Sequence, residues 1–262
     1  PRALRIIDCE ITGDWNNENV LEKQRKDLEG RYRNKNIKEA WKSKESVLPN
    51  HLYPDIWITK KAIKEIDNLP NDQPWILWVS FVGPHEPFDT PKPWRGLTKP
   101  GDIPKAIGKR KWITRLPSKC GLKKAEKRWK NKVSEQEKKE LRLDYTDHLR
   151  LLDEQVGEIL AKVKMRNDFD KTAITLMADH GEMLGDGGML YKSTFIESAI
   201  RVPMIYRPPK GMKIGIANQA NINLTGFFTK ILNGLETGGK VRNLQNWASP
   251  AGQQACKPGK QL

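Results

Sequence analysis

Residues 75–91 read WILWVSFVGPHEPFDTP, an apolar run that breaks at a glycine–proline pair and continues as a loop punctuated by proline. Trp75–Val82 is rich in β-branched and aromatic residues, too short for a buried helix, and bounded by Pro74 and by Gly83-Pro84. It is therefore predicted to be a central strand. Beyond it, Pro84, Pro87, Pro91 and Pro93 fix an extended loop with His85 near its beginning.

Outward from this run, strand and helix patterns alternate. Upstream, PDIWITKKAIKEIDNLP places Ile56, Ile63 and Ile66 on one helical face, with Pro54 near the start and Pro70 as the stop. Downstream, Tyr145, His148, Leu149, Leu152, Val156, Ile159, Leu160 and Val163 recur at three and four residues and predict a long helix. Thr172–Ala178 reads as a second buried strand whose end delivers Asp179-His180-Gly181, and Arg201–Pro209 reads as a third strand after the helix-compatible STFIESAI. A last helix is expected over Leu224–Leu235. Residues 1–50 are polar, rich in Lys, Asn and Glu, without a sustained period, and read as loop with short helical pieces. The alternation predicts an α/β fold with a largely parallel central sheet flanked by helices. In such sheets ligands sit beyond the carboxyl ends of the strands, where His85 and Asp179-His180 fall.

Composition adds limits. Of 262 residues, 37% are hydrophobic and 30% charged, which suits a modest core with much solvated surface. Three cysteines make no disulfide framework and leave the redox compartment open. No run approaches the roughly 18 apolar residues of a membrane helix. The net charge of +15 is local: residues 105–132 hold twelve Lys or Arg against one acid, Glu126. Trp112 and Trp129 are interleaved with these charges. Such a segment is a solvated insertion, a surface that attracts an anionic substrate, or a nucleic-acid site in which cations track phosphates and indoles stack on bases.

Four residues stand out chemically. Just past a strand end, Asp179 and His180 can turn toward one point and offer a carboxylate and an imidazole to a metal, or Asp179 can simply cap the next segment. His85, in a loop stiffened by proline, can donate to an anionic oxygen or protonate a leaving alkoxide, or can bond to backbone alone. Lys192 follows Asp179 by thirteen residues, across two glycine bends that can return the chain toward the same cleft.

WVSFVGPHEPFDTP, YTDHLRLLDEQVGEIL and ADHGEMLGDGGMLYKSTFIESAIRVPMIYRPP resemble successive segments of the sulfatase family, in the alkaline phosphatase superfamily. The resemblance covers roughly Pro54 to Glu236 apart from the basic insertion. It implies an alkaline-phosphatase-like catalytic domain over residues 1–236, incomplete at both ends, with 237–262 as the start of a truncated C-terminal region or a disordered tail. It also implies that Asp179 and His180 belong to a calcium shell, that His85 contacts the sulfate ester, and that Lys192 touches the sulfate or the leaving oxygen. A cation, a lysine and a histidine around one point would stabilise a sulfuryl group in flight.

The sequence also departs from that pattern. Paired aspartates, a Cys/Ser-x-Pro-x-Arg motif that is oxidised to formylglycine, and a GKWH-like segment should precede these blocks, and none stands before Pro54. Cys9 and Cys120 lack the proline. Cys256, in CKPGK, has it but lies after the metal turn, with Lys260 where the planar fork of Arg is expected. Gly187 stands where relatives often have histidine. The expectation is an internal piece of a sulfuric ester hydrolase, inactive as given, from an enzyme acting on sulfated carbohydrate. The alternatives are a phosphonate or phosphodiester hydrolase of the same superfamily, or a non-enzymatic basic module binding nucleic acid or sulfated glycan.

Overall fold

The computed structural model describes residues 3–8, 22, 26, 41–108, 115, 121–129, 132–192 and 194–212. The expected helix at Leu224–Leu235 and Cys9, Cys120 and Cys256 lie outside them, as does part of the basic segment. The chain divides into two units, Pro1–Phe169 with His180–Val202, and Asp170–Asp179 with Pro203–Leu262.

In the first unit, β1 (Ala3–Asp8) pairs in parallel with β2 (Trp75–Ser80), Ala3 opposite Trp75 and Asp8 opposite Ser80. A strand at Ala3–Asp8 corrects the reading of residues 1–50 as loop and short helix. Six residues carry too little periodicity to identify a strand, and the pairing that makes them one lies some seventy residues away. β2 stops at Ser80, before the expected Val82, and Trp78 is 41% exposed, so among the described residues it is covered less than a central strand would be.

Helix α1 (Pro54–Asn68) begins at its proline, whose missing N–H costs nothing in the first turn. It packs on the long helix α3 (Glu135–Lys164), with Tyr53, Ile56 and Leu151 in one buried cluster. Between these two helices in sequence runs α2 (Gly121–Trp129), inside the basic segment. Helix α3 starts on a capping box: Ser134 accepts from the Glu137 N–H and the Glu137 carboxylate accepts from the Ser134 N–H.

The buried face of α3 differs from the expected one. Leu141, Asp144, Asp147, His148, Leu151, Gln155 and Val163 are buried, whereas Leu149 is exposed and Tyr145, Leu152, Val156, Ile159 and Leu160 are half-buried. The face is rotated because its polar members have partners: Asp144 and Asp147 accept backbone N–H groups from the loop after β2. A second cluster joins Trp41, Phe88, Trp129, Leu141, Met183, Met189 and Leu190. Trp129, 4% exposed, thus belongs to the core.

In the second unit β3 (Ile174–Met177) pairs antiparallel with β4 (Met204–Arg207), Ile174 opposite Arg207 and Met177 opposite Met204. Both are shorter than the runs Thr172–Ala178 and Arg201–Pro209. The short helix α4 (Glu197–Ile200) precedes β4 and belongs to the first unit.

Candidate active site

The loop after β2 begins at a buried carboxylate. Asp55, in the first turn of α1, accepts the N–H of Val82 at 2.9 Å and of Gly83 at 3.1 Å through Oδ1, while Oδ2 accepts from His148 Nε2 at 2.8 Å. Asp55 is 1% exposed and His148 3%, so this pair is removed from water and its geometry is set by packing. A Cβ at Gly83 would overlap the His148 ring and lie 2.6 Å from Asp55 Oδ2, so only glycine fits between the pair and the loop. The hydroxyl of Tyr53 completes this corner, donating to Asp89 at 3.4 Å; burial and the nearby carboxylates hold its pKa well above the usual tyrosine value.

Further along, the loop is pinned by Phe88 in the core and by Asp144, which accepts from the Thr90 N–H at 3.1 Å and pairs with Arg95. Asp147 accepts from the N–H of Gly96 at 2.6 Å and of Thr98 at 2.7 Å. His85 stands exposed on this fixed frame. Its Nδ1 lies 2.8 Å from the Glu86 carbonyl oxygen, which can only accept, so Nδ1 carries the proton and Nε2 presents its lone pair.

Lys192 arrives from 107 residues further along the chain. Its ammonium donates to His85 Nε2 and, at 3.0 Å, to Glu86 Oε2. The loop that brings it is folded around two carboxylates. Glu182 Oε1 accepts from the N–H of Leu184 at 3.3 Å and of Tyr191 at 2.5 Å, and burial raises its pKa to about 7 despite those donors. Asp186 accepts from the Ile107 N–H and the Ser198 hydroxyl and pairs with Arg142. Gly185, Gly187 and Gly188 take the left-handed conformations that the bend needs, and the Gly187 N–H donates to the Ile107 carbonyl at 2.8 Å. The apolar partners Met183, Met189 and Leu190 bury the bend in the core.

His180 opens this loop. Its ring lies 6.0 Å from that of His85, and its Nδ1–H donates to the Gly181 carbonyl at 2.9 Å, which leaves Nε2 as the acceptor nitrogen that a metal ligand requires. The neighbouring glycine is obligatory, because a Cβ at Gly181 would overlap the Ser198 carbonyl. Asp179, exposed, lies two residues beyond β3 in the second unit.

His85, His180 and Lys192 therefore share one locality. Glu86 belongs with them and escaped the sequence reading, although an acid directly after the loop histidine was the available signal. The pairing of Asp55 with His148 also escaped it, since a buried polar pair 93 residues apart leaves no local pattern. Among the described residues no three His, Cys, Asp or Glu side chains gather as a metal site. Two donors do not meet the 6–8 oxygen ligands of calcium, so these residues alone do not fit that ion.

A family model described as Sulfatase matches residues 11–235. An arylsulfatase from Clostridium perfringens is 26% identical over 181 residues, covering 66% of this chain and 36% of its own. A choline-sulfatase from Rhizobium meliloti is 29% identical over 145 residues, covering 52% of this chain and 27% of its own. The chain thus spans about a third of the length of the curated relatives it matches. Among solved structures, the phosphonate monoester hydrolase SpPMH from Silicibacter pomeroyi superposes with a TM-score of 0.67 over 91% of this chain and 50% of that one, at 19% identity, a likeness of fold.

Proposed function

The chain belongs to the sulfatase family, and from that premise we propose that the protein it represents hydrolyses sulfuric esters, with His85 and Lys192 meeting the ester. The observation that carries this reading is the junction of Lys192 with His85 and Glu86 across more than a hundred residues of sequence. The Lys192 ammonium is suited to neutralise charge on the sulfuryl oxygens, where a fixed cation acts without reorganising at the moment of reaction. His85 is exposed and held at its backbone, so its Nε2, once protonated, can hand a proton to the leaving alcohol oxygen as the sulfur–oxygen bond breaks. Glu86 keeps both in register.

Asp179 and the Nε2 of His180 would be this chain's contribution to the calcium site general in this family. Formylglycine, also general in the family, would supply the attacking oxygen; no residue of this sequence stands in its Cys/Ser-x-Pro-x-Arg motif. Residues 1–236 then form part of the catalytic domain, with 237–262 as the start of a C-terminal region or a tail.

The test is a titration of the chain with a small aryl sulfate and, in parallel, a phosphonate monoester. Lys192→Ala is expected to weaken aryl sulfate binding about tenfold or more, the scale of one charge-assisted contact. Equal binding by wild type and Lys192→Ala would refute the assignment of Lys192, and a marked preference for the phosphonate would shift the substrate class.

A further inference from the structure

A groove of about 230 Å³ runs between α2 and the residues Leu190, Tyr191 and Thr194. One wall is the face of α2 that carries Gly121, Lys124, Ala125 and Arg128, spaced at three and four residues. Gly121 and Ala125 are too small to fill the space between the helix and the facing segment, and this is why a groove exists. The two longer side chains flank it with positive charge. Among the described residues neither Lys124 nor Arg128 pairs with a carboxylate, and both are exposed. By contrast Lys123, one residue away, sits 3.6 Å from Glu126. The opposite wall is Tyr191, whose ring meets the buried Trp129 edge-on at 5.3 Å.

We propose that this groove is a subsite for an anionic sugar unit of the substrate, adjoining the ester at His85 and Lys192. This rests on the sulfatase reading given above. Its cations would take a sulfate or carboxylate group, and Tyr191 with the small-residue floor would take the apolar face of a pyranose ring. Adjacency follows from the backbone. Tyr191 and Lys192 are consecutive, with Cα atoms about 3.8 Å apart, and Tyr191 holds a left-handed φ of 65°. Tyr191 lines the groove while the Lys192 ammonium reaches His85. Trp129 also lines the groove, but at 4% exposure its indole offers too little surface to stack on a base, which argues against nucleic acid.

The experiment titrates the whole chain by calorimetry with a disulfated disaccharide, its desulfated form, a small aryl sulfate and a single-stranded oligonucleotide. Two variants probe the groove: Lys124→Ala with Arg128→Ala, which removes the charge, and Gly121→Leu, which fills the space from a position where a Cβ meets nothing within 4 Å. Each is expected to weaken the disulfated disaccharide about tenfold or more while leaving the aryl sulfate unchanged. Lys192→Ala is expected to weaken both ligands. Loss by Lys192→Ala with no loss by the groove variants would overturn the subsite and leave the sulfatase reading intact. No effect of Lys192→Ala on the aryl sulfate would instead count against that reading. Equal loss of aryl sulfate in the groove variants, binding of the desulfated sugar as tight as the sulfated one, or tighter binding of the oligonucleotide would each refute the anionic-sugar assignment.

Discussion

The loop Val82–Thr98 and the loop Gly181–Lys192 deliver His85 and Lys192 to the same place, and they are held by different means. The first takes its acceptors from rigid helices: Asp55 of α1 binds Val82 and Gly83, and Asp144 and Asp147 of α3 bind Thr90, Gly96 and Thr98. The second carries its own, since Glu182 binds Leu184 and Tyr191 and Asp186 draws Ile107 and Ser198 onto the bend. Irregular backbone away from water must find partners for its N–H groups. A proline-rich loop has stiff φ angles and few N–H groups, so acceptors must be brought to it. A glycine-rich loop can curl around acceptors of its own.

If that contrast is right, the largest effect should come from removing a helix-borne acceptor. Asp144→Ala strands the Arg95 cation and the Thr90 donors, and should lower unfolding free energy by about 3–5 kcal/mol, read from urea denaturation. Asp186 is less deeply enclosed, and its removal should cost about 1–3 kcal/mol. Equal costs would abolish the distinction between the loops.

Glycines sharpen it. At Gly83 the obstacle is a neighbouring helix, and Gly83→Ala should cost about 1–3 kcal/mol by overpacking and shift the His85 ring resonances in NMR spectra. At Gly187 the obstacle is its own φ of 62°, and Gly187→Ala should cost about 1–2 kcal/mol. There the perturbed resonances should lie in the bend and around Ile107, with His85 little changed.

The smallest effect concerns the frame behind the first loop. Arg166 donates to the carbonyls of Ile66, Leu69 and Pro70, closing the turn from α1 to β2, and is itself held by Asp168. The Arg166 hydrogen bond, helped by one from Trp75, keeps the Asp168 pKa below the usual carboxylate range. Because the folded value lies below the unfolded one of about 3.9, this contribution is complete above that pH and is lost as pH falls through the folded value. Melting temperature should therefore drop on acidification below about 4, and less steeply in Asp168→Asn.

What was legible in the sequence was what neighbours in the chain impose on one another. The apolar run of β2, the proline start of α1, the period of α3 and the glycines of the bend each state their conformation within a few residues. Charge type likewise marked His85, His180 and Lys192, which the fold brings together. Distant partners decided the rest. β1 is a strand because β2 lies beside it, and β3 and β4 run antiparallel because Ile174 meets Arg207. The face of α3 turned inward is set by loop N–H groups seeking Asp144 and Asp147, and its apolar count pointed elsewhere. Trp129 is core because Trp41 and Tyr191 enclose it, and Glu86 joins the site because Lys192 reaches it. A burial or a buried hydrogen bond depends on which groups chain closure brings opposite each other, and that pairing exists only once the tertiary structure has formed.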